Sequence, residues 1–193
     1  MNSNQYLNFF KNKKILITGN TGFIGSYLSL TLSLMGAKVF GYSLKKKNSR
    51  YLSNSIKYKK KIKTLVDDIK NIKKYKRYLN EVSPSIIIHL ASQPLVGESY
   101  KKTSETYETN ILGTVKLLEL IREIKSVKNI LIFTSDKVYR NTRANYLSEN
   151  SELGGIDPYS SSKSCQDIIA YSYKESFFKK DKNMFIIRAG NII

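Results

Sequence analysis

Two rhythms of apolar positions alternate along the chain. KILIT at 14–18 is a short, almost unbroken apolar run, the pattern of a strand buried on both faces. FIGSYLSLTLSLMG at 23–36 has helical spacing instead and ends in a glycine. The strand pattern returns at KVFGYS (38–43), IKTLV (62–66), SIIIHLA (85–91), NILIFTS (129–135) and MFIIRA (184–189). Helical segments are predicted between these runs over 70–82, 105–125 and 159–178. Strands that alternate with helices imply right-handed βαβ units. The expected class is therefore α/β, a Rossmann-like doubly wound parallel sheet with helices on both faces. No internal repeat, low-complexity tract or linker divides the 193 residues, so residues 1–193 read as one domain.

Charge changes this picture little. The chain has 33 Lys+Arg against 15 Asp+Glu, a net charge of +18. Most of the excess is lysine scattered along the sequence, and the densest segment, KKKNSRYLSNSIKYKKKIK (45–63), carries no nucleic-acid-binding motif. We expect no nucleic-acid partner and read that segment as a solvated, mobile loop. The single cysteine, Cys165, excludes an internal disulfide framework and any multi-cysteine zinc site, and no metal is expected. The first residues lack the order of a signal peptide, and no apolar run approaches the roughly 20 residues of a membrane helix. A soluble, cytoplasmic protein without a membrane partner is expected.

Candidate chemistry is concentrated in two short stretches. TGNTGFIG (18–25) follows the first strand directly and places Gly19, Gly22 and Gly25 at the turn into the first helix. Such a turn lets a pyrophosphate approach the backbone and face a helix N-terminus. DPYSSSK (157–163) puts Tyr159 and Lys163 four residues apart, on one face of a helix, where an ammonium can favour a phenolate. Spacing alone fits a solvated helix face equally well. His89, the only histidine, ends a strand and reads as a packed core residue; Cys165 has no visible base partner and reads as buried. The apolar stripe over 106–124 reads as core.

The glycine spacing resembles that of the extended short-chain dehydrogenase/reductase superfamily, and later segments follow its order: VDDI (66–69), HLASQP (89–94), TNILGT (109–114), TSDKVY (134–139) and YSSSK (159–163). Over about residues 12–193 the chain is similar to the CDP-glucose 4,6-dehydratase family. The related dTDP-glucose dehydratases carry Asp-Glu where this chain has Asp136-Lys137. The resemblance implies NAD held by Gly19, Thr21, Gly22, Phe23, Ile24, Gly25, Asp68, Ile69, Leu90, Ala91, Gln93, Asn110, Tyr159 and Lys163. It implies a sugar nucleotide, CDP-glucose, contacted by Gln93, Ser135 and Asn191. Tyr159 would take the proton of the sugar 4-hydroxyl, with Ser135 hydrogen-bonded to that hydroxyl. Asp136 would be the acid for the departing 6-hydroxyl, and Lys137 would take the C5 proton or stabilise the enolate.

Two departures accompany the resemblance. After the second strand, where NAD enzymes often carry an acid, stand Ser43, Lys45, Lys46 and Lys47, a set that could suit the extra phosphate of NADP; the family favours NAD. Relatives also continue past RAGN into a C-terminal substrate domain, whereas this sequence stops at Ile193, so that domain is expected to be absent and activity of the short chain doubtful. The alternatives are another NAD-dependent sugar-nucleotide epimerase or reductase, which has no use for the Asp136-Lys137 pair, and a non-catalytic dinucleotide-binding module. The family further implies a homodimer built on two helices.

Overall fold

The computed structural model describes residues 8–45, 52–140 and 146–192. β1 (Lys14–Thr18) leads through the glycine turn into α1 (Phe23–Leu34), and β2 (Lys38–Ser43) follows. α2 (Ile56–Lys61), β3 (Lys63–Val66), α3 (Ile72–Val82) and β4 (Ile86–His89) complete the first half. The second half holds α4 (Val96–Lys101), α5 (Thr103–Tyr107), α6 (Gly113–Glu123), β5 (Asn129–Phe133), α7 (Pro158–Tyr173) and β6 (Asn183–Ile187). All six strands are parallel, in the order β3-β2-β1-β4-β5-β6. The order reverses between β1 and β4, and the crevice beyond the carboxyl ends of strands at such a switch point is where open α/β sheets bind ligands.

The two faces of β1 explain its unbroken apolar run. Leu16 joins a cluster with Leu117, Ile121 and Ile130 on one side, while Ile15 and Ile17 join Leu32, Val39 and Ile88 on the other. Burial on both faces removes the need for alternation.

Several expectations change at element ends. The helix predicted over 105–125 is three pieces, because a π-helical turn at Glu108–Leu112 separates α5 from α6. A second π turn, Lys174–Phe178, follows α7. The last three strands are each shorter at the C-terminal end than predicted, because the chain leaves the sheet to form the walls of the crevice. The largest correction concerns 45–63. Lys46 and Lys47 lie outside the described residues, but the segment from Leu52 is ordered as a 3₁₀ turn (Leu52–Asn54) and α2, not a solvated loop. Tyr58 and Ile62, four apart, are buried in the second core cluster while Lys57 and Lys59 face outward. One aromatic ring with a satisfied hydroxyl outweighs the solvation of its lysine neighbours.

Candidate active site

The glycine turn is shaped by close backbone approach. Gly19 has φ +71°, and a Cβ there would stand 2.8 Å from the Ala91 nitrogen. A Cβ on Gly25 would stand 2.3 Å from the Gly19 oxygen. The turn thus brings the end of β1 against the start of the segment after β4 and lets α1 start directly beneath it. Gly22 caps α1 without a side-chain hydrogen bond, and no acidic residue stands in the helix's first turn. Its opening amides therefore present partial positive charge to a cavity of about 520 Å³ lined by Gly19, Gly22, Phe23, Ile24 and Gly25.

The same cavity takes in most of the remaining predicted residues from other strand ends. Asp68 and Ile69 reach it from the end of β3, Leu90 and Ala91 from the end of β4, and Ser135, Lys137, Tyr159, Lys163 and Asn191 from the far side. α7 starts where it does because Asp157 caps it, accepting from the Ser160 amide at 3.0 Å, with Pro158 at its first position. That cap and the Ser99 Oγ bond to the Tyr159 amide, 3.1 Å, set the Tyr159 ring at the cavity wall. Ser135 Oγ donates to Asp136 Oδ1 at 3.0 Å and caps the 3₁₀ turn Asp136–Val138 by accepting from the Lys137 amide at 3.2 Å. Lys137 Nζ lies 3.2 Å from Asp136 Oδ1.

Four predicted residues do not line the cavity. Thr21 is buried below the turn, bonded to Ser43 Oγ at 2.6 Å and to Leu44 O at 2.9 Å. Asn110, in the π turn, is also buried: it accepts from the Gln93 amide at 2.8 Å and donates to Gln93 O at 3.1 Å and Ser162 Oγ at 2.8 Å. Gln93 uses its own carboxamide on Leu95 and Thr106. These three hold the wall in place from behind. Asp136 stands at the rim, its Oδ2 3.8 Å from where a Cβ on Gly190 would lie.

The electrostatics depart from the expected pairing of Tyr159 with Lys163. Burial raises the Tyr159 phenol above its usual value, and the influences that lower it are a hydrogen bond to Ser135 and the charge of Lys137, with Asp136 and Asp157 opposing. Lys163 is not among them. Its Nζ donates to Gln166 Oε1 at 2.9 Å and Phe133 O at 3.3 Å, and burial lowers its pKa to about 7. A buried ammonium is itself destabilised, so it titrates near neutrality.

Sequence reasoning missed Asp67, Glu105 and Thr109, which also line the cavity, and Arg188 behind it. Arg188 grips buried Asp167 with Nε and Nη2, both at 2.9 Å, and Nη1 reaches the Tyr139 hydroxyl at 3.1 Å. Thr134 Oγ1 adds a bond to Asp167 at 3.2 Å, so the arginine of RAGN secures the TSDKVY segment. Its place inside that motif was the available signal. His89 is buried as expected, held neutral with its pKa lowered to about 3 by burial and the nearby Lys163 charge. Cys165 is only half-buried, against expectation. Among the described residues there is no group of His, Cys, Asp and Glu suited to a metal ion and no helix long and apolar enough to cross a membrane.

The chain is 38% identical to CDP-glucose 4,6-dehydratase of Salmonella typhimurium over 96% of its own length and 54% of that protein's. It is 33% identical to dTDP-D-glucose 4,6-dehydratase of Dictyostelium discoideum, covering 93% of this chain and 44% of that one. The chain thus spans about half the length of the curated relatives it matches. Among solved structures, UDP-glucose 4-epimerase from Bifidobacterium longum in complex with NAD+ and UDP superposes with a TM-score of 0.80 at 24% identity, over 91% of this chain and 52% of that one. Epimerase Mth375 from Methanothermobacter thermautotrophicus does so at 0.82 and 21%, over 95% and 53%. These two likenesses establish the fold. The model of the GDP-mannose 4,6 dehydratase family matches residues 16–187, nearly the whole chain, and the chain belongs to that family.

Proposed function

We propose that the chain carries the NAD-binding and hydride-transfer part of a sugar-nucleotide 4,6-dehydratase acting on CDP-glucose. One observation carries the reading: Ser135, Lys137, Tyr159 and Lys163 line the same cavity as the uncapped, glycine-built N-terminus of α1. The residues fit a dinucleotide. The opening amides of α1 would receive the pyrophosphate, Asp68 and Ile69 the adenine, and Tyr159 and Lys163 the nicotinamide ribose. We assign NAD rather than NADP, since Ser43 Oγ is already bonded to Thr21. Tighter binding of NADP than of NAD in a titration would overturn that assignment.

Bound NAD would supply the redox chemistry, taking hydride from C4 of the sugar and returning it at C6. The chain's own residues do the rest. Tyr159 removes the proton of the 4-hydroxyl, with Ser135 Oγ as the hydrogen-bond partner shared by the phenol and the substrate. Oxidation at C4 acidifies the proton at C5, because the resulting carbanion is delocalised into the new ketone. Lys137, ion-paired to Asp136, offers charge rather than a lone pair, so we assign it to stabilising the enolate. The Asp136 carboxylate takes the C5 proton and passes it to the departing 6-hydroxyl, which leaves as water. The Asp136–Lys137 pair at the rim and the 38% identity favour dehydration over epimerisation.

The test uses the 193-residue chain and a chimera that joins it to the remainder of the Salmonella typhimurium relative. Both are incubated with CDP-glucose and NAD and read by the alkali-induced absorbance of a 4-keto sugar. Product from the chimera is expected. An epimer instead of a ketone would favour the epimerase reading, and NAD binding without any turnover a non-catalytic module. We also place the protein in the cytoplasm as a homodimer joined through α6 and α7. The outward, exposed Ile168 and Tyr171 of α7 support that interface, and a monomeric sedimentation coefficient would refute it.

A further inference from the structure

Lys163 is held by a chain of buried hydrogen bonds that reaches the glycine turn. Gln166, one turn further along α7 and fully buried, accepts from Lys163 Nζ at 2.9 Å and donates from Nε2 to Thr114 Oγ1 at 2.8 Å. The one hydrogen of Thr114 Oγ1 goes to Asn110 O at 2.7 Å, so toward its other neighbours this hydroxyl only accepts. His89 Nε2, 3.0 Å away, must therefore carry a hydrogen. His89 Nδ1 is then the acceptor for Thr18 Oγ1 at 2.7 Å. Thr18 Oγ1 accepts in turn from the amides of Leu90, 3.2 Å, and Ala91, 3.1 Å, the same backbone that packs against Gly19. Thr18, His89, Thr114 and Gln166 have no exposed surface, and each hydroxyl or ring hydrogen of Thr18, His89 and Thr114 in the chain has a partner.

We propose that Gln166 is a positioning residue: its carboxamide, anchored through Thr114 and His89 to the strand ends that carry the glycine turn, sets where the Lys163 ammonium stands against a bound dinucleotide. The inference rests on the NAD-binding reading above. A carboxamide suits the task. It accepts from the ammonium without fixing it in an ion pair, and the opposite amide orientation would set Nε2 against the positive charge. The other ionisable groups nearby are His89 on β4 and, lining the same cavity, Tyr159 on its own helix and Lys137 beyond β5. Among the described residues no carboxylate compensates its burial.

The test has a cofactor-free and a cofactor-bound arm. In the first, the chain is labelled at lysine Cε with carbon-13 and Lys163, assigned by its loss in Lys163→Met, is titrated by NMR. Gln166→Met should lower its midpoint by about one pH unit or more, and Gln166→Glu should raise it by about as much. In the second arm, NADH affinity is read from NADH fluorescence, which no tryptophan obscures in this chain. Gln166→Met should weaken it roughly tenfold, and Gln166→Glu should restore part of the loss and shift the pH profile upward with the lysine midpoint. If Gln166→Met does not fold, Gln166→Glu alone decides. Unmoved midpoints overturn the proposal, and so does a moved midpoint with unchanged NADH affinity, since the amide would then tune the charge without placing it. If the unsubstituted chain binds no NADH at all, the cofactor reading fails, while the lysine titration still judges the Gln166 contact.

Discussion

The two walls of the cavity are built on opposite principles. The wall from β1, β4 and α1 is set by backbone. At Gly19 and Gly25 an added carbon would meet main-chain atoms at 2.8 and 2.3 Å, and the start of α1 offers its backbone amides without a side-chain cap. The wall from β5 and α7 is set by side chains that have lost their water: a lysine with its pKa lowered to about 7 and a phenol raised by burial. On the first wall the danger is an extra atom; on the second, the working group is itself a load on the fold. Stability and function should therefore move together at Gly19 and Gly25 and against each other around Lys163.

The sharpest way to break this comparison is Gly25→Ala. Its Cβ would fall 2.3 Å from Gly19 O and 2.8 Å from Asn20 Cα, and neither is the end of a flexible side chain. Separating them requires shifting the turn or the first turn of α1, at a cost of about 3 kcal/mol or more. Urea unfolding should show that loss together with loss of dinucleotide binding. A variant as stable as the parent would mean that the turn is softer than its packing.

At Lys163 the expected direction reverses and depends on pH. The folded value of about 7 lies below the reference 10.5, so between those limits the unfolded chain binds a proton that the folded chain does not. Stability from this group rises with pH across that window, and the full penalty is present below it. Between pH 7 and 9 the parent should gain about 2 kcal/mol relative to Lys163→Met. Unfolding curves for the two proteins that stay parallel over this range would contradict a buried, uncompensated ammonium.

His89 links the two walls and provides the next effect. Its folded value of about 3 is below the reference 6.5, so the unfolded state again binds the extra proton, now between pH 6.5 and 3. Stability is complete above that window and is lost as the pH falls through it, by about 1.5 kcal/mol between pH 6.5 and 5. His89→Gln should be less stable at neutral pH but should lack this acid slope. An equal slope in both would assign the acid loss to other groups.

The contrast also explains what could be read from the sequence. The six strands, their parallel pairing and the glycine turn were legible because they follow from local rules: apolar runs, helix spacing and the demand for glycine at a close approach. The candidate catalytic residues were named by resemblance, and all but Asp136 line the cavity. What failed was whatever depends on three-dimensional surroundings. The order imposed on 52–62 by Tyr58 needed the Asn20 side chain and main chain, bonded to its hydroxyl at 2.7 and 2.8 Å and 38 residues away in sequence. Lys163 could be matched to Tyr159 by spacing, but not to Gln166 and Phe133 O, which its burial makes its partners. Thr21 and Asn110 had motif positions suited to ligand contact and turned inward to hold the walls instead.

Gly22→Ala is the smallest expected change in stability and separates glycines kept for the fold from glycines kept for the ligand. Gly22 has φ −71°, open to any residue, and an added Cβ would meet only Gly19 O, at 3.3 Å. A shift of a few tenths of an ångström removes that contact, so the substitution should cost about 1 kcal/mol or less. The residue nevertheless caps α1 and lines the cavity, where the same methyl group would stand between the helix amides and an incoming phosphate. Dinucleotide affinity should drop roughly tenfold or more while the unfolding midpoint hardly moves. If Gly22→Ala unfolds as easily as Gly25→Ala, the two positions carry the same steric load and the distinction collapses. If it binds NADH like the parent, the phosphate does not approach at Gly22, and the amides of Ile24 and Gly25 become the place to look for it.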